Sequence, residues 1–215
     1  MGFCKPSEGG TEACLSSDMY VGMRKNAKRL NDLGNYRLEA AEMNPAIFEE
    51  MLSLILRKGL RKRVWEPFAG TGSKRFWVMC VMGGFEIESY GLSMGSCRVL
   101  ADSTRSLPSG EFGGVLMHPP YYGSDPQSES PQDLSRMSDW DEYVTALSRV
   151  FRSACRAMDV GGIMVAVGRD YRAVSRRVRL DLLYVEIMDA LPMEVEEVWI
   201  SEPDVAIIAR KTDEL

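Results

Sequence analysis

Apolar and polar positions along the chain switch between a helical and a strand period, and the switches mark the elements. From 44 onward, Asn44 is placed to cap a helix and Pro45 suits its first turn. Ile47, Phe48, Met51, Leu52, Leu54 and Ile55 then recur at helical spacing, and Gly59 ends the run. Residues 62–68 read as a first strand. Residues 73–82 read as a helix with Phe76, Trp77, Met79 and Cys80 inward, stopped by Gly83-Gly84. Residues 85–92 alternate imperfectly, as a second strand. Residues 96–100 are a short connection or short helix, and Ala101-Asp102 ends a third, very short strand. The run 112–117 is apolar throughout, as in a strand buried on both faces. The Ser-, Pro-, Gln- and Asp-rich stretch 123–138 is a long loop, and such loops are usually functional or mobile. An amphipathic helix spans 139–158, capped by Ser138 or Asp139 and closed by Gly161-Gly162, and a strand follows at 163–167. A helix at 180–191 and strands at 195–200 and 205–209, joined by a Ser-Glu-Pro-Asp turn, complete the pattern.

Strands that alternate with helices predict an α/β fold, a mostly parallel sheet covered by helices on both faces. The last two strands follow one another without a helix, so one of them is expected to run antiparallel. Residues 1–18 have little to bury and are expected to be disordered, and 19–42 carry no clear period. The expected organisation is an N-terminal segment, 1–40, partly disordered, and a single domain, 41–215. Ligands of such sheets sit at the carboxyl ends of the strands, where the strand order reverses. Residues 66–72, Ser93, Asp102 and residues 118–121 all fall at predicted strand ends and are expected to line one edge.

Composition narrows the class. The chain has 215 residues, 45% apolar and 27% charged, which suits one globular domain with a full core. No run approaches the roughly 18 apolar residues of a membrane span, and residues 1–11 lack the apolar segment of a secretory signal. Five scattered cysteines without a C-x-x-C pair suggest free thiols and a cytoplasmic location. One histidine and no cysteine pair argue against a metal site. A net charge of −5 argues against nucleic-acid binding by the whole surface. Three basic clusters nevertheless stand out: Arg24, Lys25, Lys28 and Arg29; Arg57, Lys58, Arg61, Lys62 and Arg63; and Arg169, Arg172, Arg176, Arg177 and Arg179. Charge runs are usually solvated surface, but three of them in an acidic chain imply segregated charge.

Two stretches carry the chemistry. In Glu66-Pro67-Phe68-Ala69-Gly70-Thr71-Gly72 an apolar strand runs through a carboxylate into a glycine turn before a helix. A Cβ at Gly70 or Gly72 would occupy space that a ligand or a crossing helix needs. The second stretch, His118-Pro119-Pro120-Tyr121, ends the buried strand 112–117. In this order the two suggest a nucleotide-derived cofactor beside a pocket for a planar substrate.

Here the chain resembles the S-adenosylmethionine-dependent amino-methyltransferases of nucleic acids, which methylate adenine N6 or cytosine N4. The resemblance covers about residues 40–210 and implies a Rossmann-like methyltransferase fold, a mostly parallel seven-stranded sheet with an antiparallel C-terminal strand. It places S-adenosyl-L-methionine against Asn44, Pro45, Glu66, Phe68, Gly70, Gly72, Ser93 and Asp102. It makes His118, Pro119, Pro120 and Tyr121 the catalytic element, a variant of D/N/S-P-P-Y. An exocyclic amine is a poor nucleophile because its lone pair is delocalised into the ring. Acceptors on its hydrogens release that lone pair: the Pro119 carbonyl is one and the side chain at the first position is the other. Tyr121 would stack on a base that has left the duplex.

The chain departs from the family at two of these positions. His118 replaces Asp, Asn or Ser. With its ordinary pKa of about 6.5 it accepts only when neutral, so either activity falls below about pH 6 or the histidine serves another substrate. Ser93 stands where the family has an acidic residue on the ribose. Only residues 123–138 and the first 40 are free to read sequence, so loose specificity or dependence on a partner subunit for target recognition is expected. The implied partner is nucleic acid, DNA before RNA and adenine N6 before cytosine N4, with no membrane role. The alternatives are an RNA guanine-N2 methyltransferase, whose family carries a similar P-P-Y element, and a degenerate methyltransferase fold that only binds. Asp102 is either a turn residue or a neighbour of the cofactor adenine. Trp140 and Tyr143 read as helix core, and Asp170 as a substrate contact or a partner of Arg169 or Arg172.

Overall fold

The apolar run around 115 becomes the centre of the sheet, and its side chains alternate between two cores. In the computed structural model, residues 45–70, 73–92, 99–105, 108, 110–124, 126, 128–173, 176–201 and 204–213 are described. They all belong to the unit Tyr36–Leu215. The helices are α1 (Pro45–Arg57), α2 (Ser73–Met82), α3 (Trp140–Ala157) and α4 (Leu180–Asp189). The first five strands are β1 (Arg63–Glu66), β2 (Glu86–Gly91), β3 (Val99–Leu100), β4 (Phe112–Met117) and β5 (Met158–Gly168). The last four are β6 (Tyr171–Ala173), β7 (Arg176–Val178), β8 (Met193–Ser201) and β9 (Asp204–Lys211).

Seven strands form one sheet in the order β3-β2-β1-β4-β5-β9-β8. Strands β1 to β5 are mutually parallel, and β9 runs against both of its neighbours. This is the expected sheet, with its antiparallel C-terminal strand. Every residue of β4 is buried. Val115 and Met117 pack with Tyr143, Leu147 and Phe151 of α3 and Tyr184 of α4. The opposite face receives α1, which comes so close that a Cβ at Gly114 would lie 2.9 Å from Met51 Cε. The Met51 and Ile55 ends can shift, but a Cβ at Gly113 would overlap the Arg61 backbone, so Gly113 is the position that admits only glycine in the Phe-Gly-Gly-Val sequence.

Helix α3 is the longest of the described helices. Asp139 caps it by accepting from the Glu142 amide at 2.9 Å, Asp141 and Glu142 occupy its first turn and Arg156 its last. Acid at the amino end and base at the carboxyl end both favour the helix dipole.

Three expectations change. Trp77 is 38% exposed, because Phe76, Met79 and Cys80 at i, i+3 and i+4 already fill the inner face of α2. Gly161-Gly162 does not close α3. The helix ends at Ala157 and β5 begins at once with Met158. Gly161, at φ +82, lies in a bulge: Phe112 pairs with Met158 and Gly114 with Ile163, so β5 has extra residues against β4. The third change is an element without an expectation, the antiparallel hairpin β6–β7 between the sheet and α4. The expectations for residues 1–44 and 93–98 lie outside the described residues.

Candidate active site

The strand order reverses between β1 and β4. From β1 the chain moves outward through β2 to β3, then returns to add β4 and β5 on the other side. Val64 pairs with Gly114 and Trp65 with Val115, so the loops that leave β1 and β4 emerge side by side. Glu66, 5% exposed, ends the first strand, and His118 follows the second.

The loop after β1 is tied down from two directions. The Ala69 amide donates to the Tyr90 carbonyl at 2.7 Å, and the Ser103 hydroxyl donates to the Pro67 carbonyl. Phe68 packs against the core. Around Gly70 no atom of the described residues lies within 4 Å of where a Cβ would stand. No described helix therefore crosses here to require the glycine. Gly72, Ser93 and Asn44 lie outside the described residues. Pro45 opens α1.

Asp102 is a turn residue. Its Oδ1 accepts from the Thr104 amide at 2.9 Å and from the Thr104 hydroxyl at 2.6 Å. Its Oδ2 is buried, forms no hydrogen bond among the described residues and lies 3.5 Å from Arg105 Nε. Burial and the nearby Glu66 carboxylate push the Cys80 thiol up, so Cys80 is a core residue and not a nucleophile.

At the end of β4 the two prolines present their carbonyls differently. The Tyr143 hydroxyl of α3 donates to the Pro120 carbonyl at 3.2 Å. Among the described residues no donor reaches the Pro119 carbonyl. His118 Nε2 lies 3.4 Å from the Tyr121 hydroxyl, with the two rings edge to face. Burial pulls the His118 pKa down to about 4; the Asp204 carboxylate opposes this and Arg169 adds to it. The imidazole is therefore neutral at pH 7 and stays so well below pH 6. Burial pushes Tyr121 up to about 12, with Arg169 acting against it through its charge and a hydrogen bond.

Arg169 and Asp204 enter from the next strands, at the carboxyl end of β5 and the first position of β9. Arg169 Nη2 stands 2.7 Å from Asp204 Oδ1, and Asp204 is 2% exposed. The N–H is not aimed at the oxygen, so the contact is an ion pair rather than a hydrogen bond. Neither residue was among the site residues read from the sequence. Arg169 read as part of a basic cluster, and Asp204 looked like a turn residue.

Aromatic rings back the motif. Tyr121 stacks on Tyr171 of β6 with centroids 5.1 Å apart, and the Tyr171 hydroxyl donates to the Tyr122 carbonyl at 2.8 Å. Tyr122 packs edge-on to Trp140, which itself stacks on Tyr143. Trp140 and Tyr143 are thus packing residues, as expected. The loop 123–138 is built on Asp133, 1% exposed, whose carboxylate accepts from the Ser128 amide, the Ser135 amide and the Ser135 hydroxyl. Asp170 pairs with Arg177 at 2.7 Å and Arg179 at 2.9 Å, and with neither Arg169 nor Arg172. Among the described residues no group of three or more His, Cys, Asp or Glu could hold a metal, and no helix is long and apolar enough to cross a membrane.

No protein-family model matches the chain. No curated protein matches it in sequence. Solved structures do match in shape. A Clostridium acetobutylicum S-adenosylmethionine-dependent methyltransferase superposes with a TM-score of 0.55 at 8% identity, over 88% of this chain and 99% of that one. The T. thermophilus 16S rRNA guanine-N2 methyltransferase, solved with AdoMet and guanosine, gives 0.51 at 16% identity, over 81% of this chain. This chain spans 45% of that protein. The fold is the Rossmann-like methyltransferase fold. Within it, Glu66 and His118 stand at the switch point, the edge at which folds of this kind bind their ligands.

Proposed function

We propose that the protein transfers a methyl group from S-adenosylmethionine to an exocyclic amine of a nucleic-acid base. One observation carries this reading: a neutral, half-buried imidazole and a carbonyl without a donor among the described residues stand in sequence at the end of β4, beside the glycine loop of β1. An aromatic amine needs acceptors rather than a strong base, because it becomes acidic only as the new bond forms; the proton it then sheds passes to neutral His118 and on to solvent. The Pro119 carbonyl is one acceptor. His118 is the other in the tautomer whose Nε2–H faces the Tyr121 hydroxyl, since Nδ1 then keeps its lone pair. The Tyr143 hydrogen bond to the Pro120 carbonyl holds the loop in register. Tyr121, backed on one side by Tyr171, offers its other face to the base.

The site also suits the cofactor. Gly70, where no described atom would meet a Cβ, the buried Glu66 carboxylate, and the buried Asp102 Oδ2, which forms no hydrogen bond among the described residues, lie at one sheet edge. The cofactor would supply an electrophilic methyl on a sulfonium, without a metal. Glu66, Phe68, Gly70 and Asp102 would hold it, together with Asn44, Pro45, Gly72 and Ser93. Orientation is then the main contribution of the protein.

The His-Pro-Pro-Tyr resemblance favours adenine N6 in DNA over cytosine N4. The likeness to a 16S rRNA guanine-N2 methyltransferase favours a second reading, guanine N2 in RNA. Labelled S-adenosylmethionine offered to unmodified DNA and, separately, to transfer RNA decides between them, with nucleosides identified by mass. Methyladenine in DNA, reduced about 100-fold or more in His118→Ala, is the expected result. Label confined to RNA would establish the second reading, and absence of cofactor binding in a thermal-shift titration would defeat both.

A further inference from the structure

We propose that the β6–β7 hairpin is the surface that holds duplex DNA beside the site, with its outward arginines on the phosphates around the target base. This rests on the methyl-transfer reading. Alternation along the hairpin divides it into two faces. Tyr171 pairs across the ribbon with Val178, and Arg172 pairs with Arg177. Val178 is buried and Tyr171 half-buried against Tyr121, while Arg172 and Arg177 are exposed. One face is therefore anchored to the His-Pro-Pro-Tyr loop and the other is cationic.

That cationic face is only partly balanced within the protein. Like charges placed directly opposite on a ribbon repel. Arg177 is relieved by Asp170, and Arg179 by Asp170 and Asp181. Arg172 has no carboxylate partner among the described residues. On that face Arg172, Arg177 and Arg179 stand against Asp170 and Asp181, which leaves a local charge of +1 among the described side chains, in a chain whose net charge is −5. A polyanion complements this surface. Its position follows from the root of the hairpin, where the Tyr171 hydroxyl is bonded to the Tyr122 carbonyl.

The shape selects DNA. Two paired strands are about 5 Å apart, and the major groove of B-DNA, about 12 Å wide, admits a two-stranded ribbon. The major groove of an A-form RNA helix is too deep and narrow for side chains to read.

The test is fluorescence anisotropy of the full chain with a labelled 20-base-pair DNA duplex, repeated with the RNA duplex of the same sequence, across a salt titration. Arg172→Glu should weaken DNA binding about tenfold, and Arg172→Ala should lower the slope of log K against log salt by about 1. S-adenosylmethionine affinity by calorimetry should not change, and Arg57→Glu should leave both DNA parameters at the wild-type values. An unchanged slope in Arg172→Ala overturns the proposal, as does tighter binding of the RNA duplex or no binding of DNA by the wild type. A wild type that transfers no methyl group but still binds DNA through Arg172 would defeat the catalytic reading and leave the hairpin proposal standing. Methyl transfer to DNA with Arg172 silent in binding would do the reverse.

Discussion

Arg57, Lys58, Arg61, Lys62 and Arg63 stand where α1 passes into β1, at the amino-terminal edge of the parallel strands. Arg169, Arg172, Arg176, Arg177 and Arg179 stand beyond the carboxyl end of β5. Both clusters place five basic residues in a short stretch. In the first, Arg57 pairs with Glu50 at 2.8 Å and Lys58 with Glu196 at 3.0 Å. Arg61 pairs with Glu111 and Asp159, and Arg63 with Glu86 and Glu88. Only Lys62 has no carboxylate partner among the described residues. Six carboxylates thus neutralise the cluster, and exposed pairs of this kind contribute between nothing and about 1 kcal/mol each. In the second, Arg169 pairs with the buried Asp204 beside His118. Arg177 and Arg179 are shared between Asp170 and Asp181, and Arg172 has no carboxylate partner among the described residues. A basic run acquires its meaning from the carboxylates that other parts of the chain bring to it.

The largest expected difference between the regions is in stability. Arg169→Met strands the Asp204 carboxylate in the core and should cost about 3–5 kcal/mol in urea unfolding. A loss under 1 kcal/mol would make the two clusters equivalent and break the comparison.

Next comes acidity. The unfolded chain takes up a proton at His118 near its ordinary pKa of about 6.5, and the folded chain declines it until about 4. The folded state therefore binds fewer protons in that window, and stability is lost as pH falls through it, by about 3 kcal/mol in total. Stability measured at pH 7 and pH 4.5 should differ more in the wild type than in His118→Asn. His118 is the only histidine, so its Hε1 resonance in a proton NMR titration reads its pKa without overlap from another imidazole. A midpoint near 6.5 would mean that burial does not govern it. Methyl transfer should correspondingly hold its rate from pH 7 to about pH 5 instead of falling below pH 6.

Smaller effects sharpen the picture. Tyr143→Phe removes the bond to the Pro120 carbonyl and should cost about 1 kcal/mol of stability, with a larger proportional loss of turnover than of cofactor affinity. An unchanged turnover would show that the Pro120 bond does not position the loop. Arg57→Met, at an exposed pair, should change stability by less than about 0.5 kcal/mol.

Much of the fold was legible because long elements repeat their period. The apolar positions of α1, α2 and α3 recur every three or four residues. The uniformly apolar run became β4, and the absence of a helix between the last strands signalled the antiparallel β9. Short elements left no such trace. Each strand of the β6–β7 hairpin has three residues, too few for a period, and their arginines read only as surface charge. The glycine turn after β1 and the Pro-Pro-Tyr step after β4 stood out because both are local breaks in backbone chemistry. Their partners did not, since Asp204 is 86 positions from His118 and Tyr143 is 23 from Pro120.

What the sequence by itself determined is the order of the elements and the identity of the two loops, because helix period, strand period and proline or glycine breaks act over a few neighbouring residues. The tertiary structure decided which charges meet. Burial beside Arg169 and Asp204 makes His118 an acceptor rather than an acid. Packing of α3 occupies the Pro120 carbonyl but not that of Pro119, and the carboxylates gathered at one end of the sheet silence one basic cluster. Desolvation and Coulomb forces act through space, and the distances that set them exist only once the strands have paired.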